Sequence, residues 1–153
     1  MKIEQELKKP LSFIHSFHRY FDLNGERFDR LHLILAHGLV SPKNAERNGI
    51  PYERRTSKIN VPGYDELIFL YSINQRQGLP IPGDTTLFFE NSLKIYEAQG
   101  LPSLSIGEVY VKDHIPAKFI KRIRIASRED FEDVKRMISK YIPDRKGIEV
   151  AIL

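Results

Sequence analysis

Between Gly107 and Ile125 the chain reads GEVYVKDHIPAKFIKRIRI, two alternating runs on either side of an Ile-Pro turn. A period of two is the mark of strands and does not suit a helix, so a β-sheet must carry part of this fold. In the first run Val109 and Val111 face one way while Glu108, Tyr110 and Lys112 face the other, which directs Glu108 away from the apolar side. In the second, Phe119 to Ile125, Ile123 and Ile125 oppose Arg122 and Arg124, the pattern of a half-exposed strand.

Other segments add strands and helices at irregular intervals. Leu67 to Tyr71 is a continuous apolar run, as expected of a central strand covered on both faces. Leu11 to Phe17 reads as the first strand, with Phe13, His15 and Phe17 on one face; Thr85 to Glu90 reads as another, and Ile148 to Leu153 as an edge strand. Phe28, Leu31 and Leu35 recur at helical spacing, so a helix is predicted from Glu26 to His37, capped by Asn24. Gly38 should end it in a left-handed conformation, with Leu39 folded back on Ile34 in a Schellman cap. A second main helix should begin at a capping box of Ser127 and Asp130, carry Phe131, Val134, Ile138 and Tyr141 as its core stripe, and stop before Pro143. A short helix is expected around Leu93 to Ala98. Ser41 to Tyr64 is polar, contains Pro42, Gly49, Pro51, Pro62 and Gly63, and predicts a long loop, a candidate lid. Strands interrupted in this way by two main helices define an α+β fold with a mixed or antiparallel sheet.

The 153 residues suit one domain, 1–153, and hydrophobic and charged shares of 41% and 29% are those of a globular chain. With no cysteine there is no disulfide framework and no thiolate metal site. His18, His32 and His114 lack metal-ligand spacing, so no metal is predicted. No apolar run reaches the roughly 18 residues that span a bilayer, and the start MKIEQELKKPLSF has charges where a signal peptide is apolar; a cytoplasmic protein is expected, with no membrane partner. A net charge of +4 favours anionic ligands, although the positive residues are spread over Arg54, Arg55 and Lys58 and then Lys118, Lys121, Arg122 and Arg124. Gly-rich phosphate loops and the serine-hydrolase elbow are missing from the sequence.

Four segments, in order, resemble the ADP-ribosyltransferase-like domains, particularly the DNA-targeting ADP-ribosyltransferase toxins and the RNA 2′-phosphotransferases. FIHSF is similar to the family's first-strand histidine motif, RFDRLHLILAHGLVSP to its following helix and Gly-Leu turn, ELIFLYS to its second motif, and GEVYVKDHIPAKFIKRIRI to its catalytic strand and Ile-Pro turn. The resemblance implies a split sheet and an NAD-dependent ADP-ribosyltransferase with a His-Tyr-Glu site. His15 would fix the NAD ribose, Tyr71 would stack on nicotinamide, and Glu108 would be the catalytic carboxylate on the nicotinamide ribose.

Ser16 would join the NAD-binding set at a position where many relatives carry glycine. Ile106 stands where arginine-directed members have a second glutamate, which argues against arginine side chains as acceptors and leaves DNA or RNA open. His37, beside Gly38, is the rival to His15 for the first-motif histidine. An antitoxin or other protein partner is compatible with the resemblance. The alternative is a catalytically inactive module of the same fold that binds a nucleotide, a nucleic acid or a protein. A nucleic-acid-binding domain using Lys121, Arg122 and Arg124 is a third reading.

Overall fold

The computed structural model describes residues 13–53, 64–72, 83–89, 104–105, 108–143 and 148–152. The predicted helix around Leu93 to Ala98 lies outside them, as does much of the predicted lid, 54–63.

In chain order the elements are β1 (Phe13–Phe17), β2 (Tyr20–Leu23), β3 (Glu26–Asp29), α1 (Arg30–His37), β4 (Leu39–Val40), α2 (Pro42–Arg47), β5 (Leu67–Ser72), β6 (Thr85–Phe89), β7 (Leu104–Ser105), β8 (Glu108–Lys112), β9 (His114–Ile115), β10 (Ile120–Ile125), α3 (Phe131–Tyr141) and β11 (Glu149–Ile152). The sheet is split, as expected: one seven-stranded sheet in the order β11-β10-β6-β1-β5-β8-β7, and two two-stranded pairs, β2-β3 and β4-β9. Within the large sheet every neighbouring pair is antiparallel except β10 with β11. With the main helices α1 and α3, this is the α+β architecture read from the sequence.

Strand alternation decides which side is covered. Phe13 and Phe17 of β1, Ile68 and Leu70 of β5, Leu87 and Phe89 of β6, Val111 of β8, and Ile123 and Ile125 of β10 are buried in one cluster with Leu31, Ile34 and Leu35 of α1 and Val134 and Ile138 of α3. Both main helices thus bury their apolar stripes on the same sheet face, where each fully buried aliphatic or aromatic side chain contributes roughly 1.5–3 kcal/mol.

The first helix starts later than its periodicity suggests. Asn24 and Gly25, both with positive φ, turn a β2-β3 hairpin in which Phe21 opposes Phe28. Asn-Gly is the strongest short signal for such a turn, and here it outcompetes helix entry at Glu26. The cap is Asp29, whose carboxylate accepts from the Leu31 and His32 amides. Gly38 does terminate α1, its N–H donating to the Ile34 carbonyl at 2.7 Å. At φ 82° and ψ 175°, however, it occupies a region open essentially to glycine alone, and not the left-handed helical well of a Schellman cap. The extended ψ sends Leu39 directly into β4, paired with Ile115.

The stretch after Ser41 holds a short helix where a loop is predicted. Ser41 Oγ accepts from the Asn44 amide and Pro42 sits in the first turn, a normal helix start. Only Ala45 is buried in α2, so no apolar period announces it. At the C-terminal helix, Ser127 provides no side-chain cap; Arg128–Asp130 winds as a 3₁₀ turn with the Asp130 amide on the Ser127 carbonyl, and Asp130 and Asp133 are drawn to Arg19.

Candidate active site

The strands that carry the predicted site residues are consecutive in the large sheet: β1, β5 and β8. Tyr71 is the register partner of Glu108, and Ile14 is the partner of Tyr71. Directly opposed residues in antiparallel strands lie about 4.5–5.5 Å apart at Cα and share a face, so positions 71 and 108 are immediate neighbours. The row continues across the whole sheet, Glu149, Arg122, Phe88, Ile14, Tyr71, Glu108, Ser105, with one residue from each strand.

His15 stands one position beyond Ile14, so alternation places it with Phe13 and Phe17 on the helix-covered face, opposite the row of Tyr71 and Glu108. Its Nδ1 lies 3.0 Å from the Phe69 carbonyl of β5. A carbonyl only accepts, so Nδ1 carries the proton and the ring is fixed across the β1-β5 seam. The half-buried ring also leans on Phe17, with centroids 5.5 Å apart. Ser16 turns the other way along the sheet, its hydroxyl 2.9 Å from Thr86 Oγ1 of β6. His37, the rival histidine, is the last residue of α1 and lies outside the large sheet; its carbonyl accepts from His114 Nε2 at 3.1 Å.

The entry to this region is organised by a residue that periodicity did not single out. Arg19, 4% exposed, donates through Nε and Nη2 to Asp29 at 3.1 and 2.8 Å, and through Nη2 to Asp133 of α3 at 2.9 Å. Its backbone N–H donates to Asp84 Oδ1 at 2.9 Å, just ahead of β6. Burial works against the charge, but the hydrogen bonds to Asp29 and Asp133 outweigh it and hold the guanidinium above its ordinary pKa. One residue therefore ties the end of β1 to the start of α1 and to α3 through its side chain, and to the approach to β6 through its backbone. The only sequence signal for it was an arginine between aromatic residues, followed ten positions later by an aspartate.

A second polar cluster secures the β8 end. Asp113, with φ 73°, accepts from Asn44 Nδ2 and Arg47 Nη2 at 3.2 Å each, and its carbonyl accepts from the Ser41 amide. Glu66, just before β5, accepts from Lys43 of α2 at 3.1 Å; that bond, with the charges of Lys43 and Lys112, holds its carboxyl below the usual range. Among the described residues no group of histidine or acidic side chains is arranged to hold a metal ion. Nor is any helix among them long and apolar enough to cross a membrane.

The large sheet with its two small strand pairs and two helices packed on one face has the ADP-ribosyltransferase-like fold of the solved structures it resembles. Among the solved structures that the chain resembles are those of DarT from Thermus sp. 2.9. In complex with carba-NAD+ that protein matches with a TM-score of 0.58 at 15% identity, over 95% of this chain and 96% of that one. The NAD+ complex gives 0.57 at 16% identity, over 95% and 96%. The complex with ADP-ribosylated ssDNA gives 0.57 at 15%, over 95% of each chain. No protein-family model and no curated protein matches the sequence. At this level of identity the likeness is one of fold.

Proposed function

We propose that the chain is an NAD-dependent ADP-ribosyltransferase, acting as a single cytoplasmic domain with a nucleic acid as its acceptor. The observation that carries this reading is the direct pairing of Tyr71 with Glu108 on adjacent interior strands beside β1. The fold likeness supports it, since the DarT structures hold NAD+ or ADP-ribosylated ssDNA.

In the reaction the bond between nicotinamide and ribose breaks, its electron pair leaves with nicotinamide, and positive charge develops on the sugar. Glu108 is assigned to that charge, because a positioned carboxylate stabilises it as it forms. The acceptor nucleophile then bonds to the anomeric carbon and gives up a proton. Tyr71 is assigned to the nicotinamide ring, a contact of about 0.5–1.5 kcal/mol beyond area burial. Ser16, on the same side of β1 as the Tyr71–Glu108 row, is assigned to NAD binding; His15, on the opposite side, is assigned to bracing β1 against β5 through the Phe69 carbonyl, which takes it out of the row that would hold the nicotinamide ribose.

The test is to incubate the protein with NAD and single-stranded DNA, RNA or protein acceptors and measure nicotinamide release. Turnover that disappears in Glu108→Gln supports the assignment; equal rates in both proteins would remove it. A second reading, a non-catalytic module that binds a nucleotide, a nucleic acid or a protein partner such as an antitoxin, is favoured by Ser16, whose side chain is tied to Thr86 at a position where many members of the resembled family carry glycine. NAD binding by calorimetry without any turnover would select it.

A further inference from the structure

Beyond Ile14, the row that contains Tyr71 and Glu108 runs through Phe88 to a cationic group on β10, next to Glu149 at the sheet edge. Arg122 and Arg124 stand two apart on β10, on the face opposite Ile123 and Ile125. Their guanidinium carbons lie 5.1 and 5.7 Å from the centre of the Phe88 ring on β6. Stacking on one aromatic ring restrains both forks and lowers the entropy lost when they grip an anion.

Arg122 is only loosely paired, its Nε 3.8 Å from Oε1 of the exposed Glu149, an ion pair of the kind that contributes little in water. Arg124 is flanked in register by Thr86 and Ala151 and has no carboxylate partner among the described residues. The Nε of each is buried without a hydrogen-bond partner, so the outer Nη groups of these half-buried side chains are the donors that an oxyanion can reach, and charge complementarity selects phosphate oxygens.

We propose that Arg122 and Arg124 bind the phosphodiester backbone of a single nucleic-acid strand, with Phe88 as the positioning residue that holds the two guanidiniums. Four inter-strand steps of about 4.8 Å separate Arg122 from Glu108, a span of roughly 19 Å. Ile14, in the middle of the row, is buried, so this is a second station and not an extension of the glutamate's end. It grips the strand several nucleotides away from the position being modified. This rests on the proposed function only in making the bound strand the acceptor; binding itself needs no NAD.

The experiment is fluorescence anisotropy of labelled dT12 with the full chain, without NAD, over a salt series. The variant Arg122→Gln/Arg124→Gln is expected to weaken binding at least tenfold at low salt and to flatten the slope of log K against log salt by about 1.4, from two contacts at about 0.7 each. Phe88→Leu should weaken binding with the slope retained, and Phe88→Tyr should restore it. Arg122→Lys/Arg124→Lys, which keeps the charge without the planar fork, should keep the slope and lose affinity. An unchanged slope in the glutamine variant, at an unchanged melting temperature, would overturn the proposal, and so would equal competition by poly-glutamate. Nicotinamide release with NAD and single-stranded DNA is read in parallel. Its absence from the unmodified protein would count against the enzyme reading and leave the binding result standing.

Discussion

Asp29 serves Arg19 and α1 with the same oxygen: Oδ1 accepts from Arg19 Nε at 3.1 Å and from the Leu31 amide at 3.1 Å. The carboxylate is thus both helix cap and counter-ion. Asp29→Asn keeps a capping oxygen and loses the charge, whereas Asp29→Ala loses both. The alanine variant should be less stable than the asparagine variant by about 1 kcal/mol, the usual worth of an N-cap, in urea unfolding. Equal stabilities would mean that the cap contributes nothing here.

Arg19→Met should cost more than either. The carboxylates it leaves behind, Asp29 and Asp133, are 22% and 50% exposed, so water recovers part of the loss. Breaking a fully buried pair costs about 3–5 kcal/mol, and about 2–3 kcal/mol is expected after that relief. Thermal unfolding with circular dichroism reads it directly.

Catalysis should separate from stability at residue 108. Glu108→Gln is expected to lower nicotinamide release by about a hundredfold or more, the scale of removing one preorganised electrostatic contact, with little change in melting temperature. His15→Ala tests a different matter, because its ring also bonds the Phe69 carbonyl. A lowered melting temperature with KM for NAD unchanged is expected of a strand brace; a raised KM would return the histidine to the ribose role.

Gly38 is intolerant of any side chain. At φ 82° an added Cβ would meet the His114 ring and come within 2.8 Å of the Ile115 carbonyl. Gly38→Ala should destabilise by about 1–3 kcal/mol, measured by denaturant midpoint, and disturb the β4-β9 pair.

The pH dependence has one assigned contributor. The Glu66 carboxyl is held below its ordinary value, chiefly by the Lys43 hydrogen bond, so it binds a proton less readily folded than unfolded. Its stabilisation is present above the unfolded pKa and is lost as pH falls through the lower, folded value. The melting temperature of the unmodified protein should exceed that of Glu66→Gln at pH 7, and the gap should narrow progressively as pH falls below the ordinary carboxylate value.

Much of the large sheet was legible because period-two patterns are short-range and strong: Val109 with Val111, and Ile123 with Ile125, fixed two strands and their covered faces. The order of strands was not, since β10 beside β6 and β5 beside β8 depend on contacts between residues far apart in the chain. Asn24 reads as a helix cap because Phe28, Leu31 and Leu35 fit a helical period through a segment that is half hairpin. Arg19 and Asp29 were invisible to periodicity, which registers apolar residues and passes over a buried charge. Of the proposed site, the chemistry of Glu108 and Tyr71 could be guessed, but their direct pairing could not.

β1 is paired along both edges, to β5 and to β6, and it separates His15 from the row of Glu108 by a single position. Adding or deleting one residue ahead of His15 would transpose its two sides, expelling Phe13 and Phe17 from the interior while bringing the imidazole into line with the carboxylate. The length of this strand is therefore as strict a requirement of the fold as the buried side chains it carries.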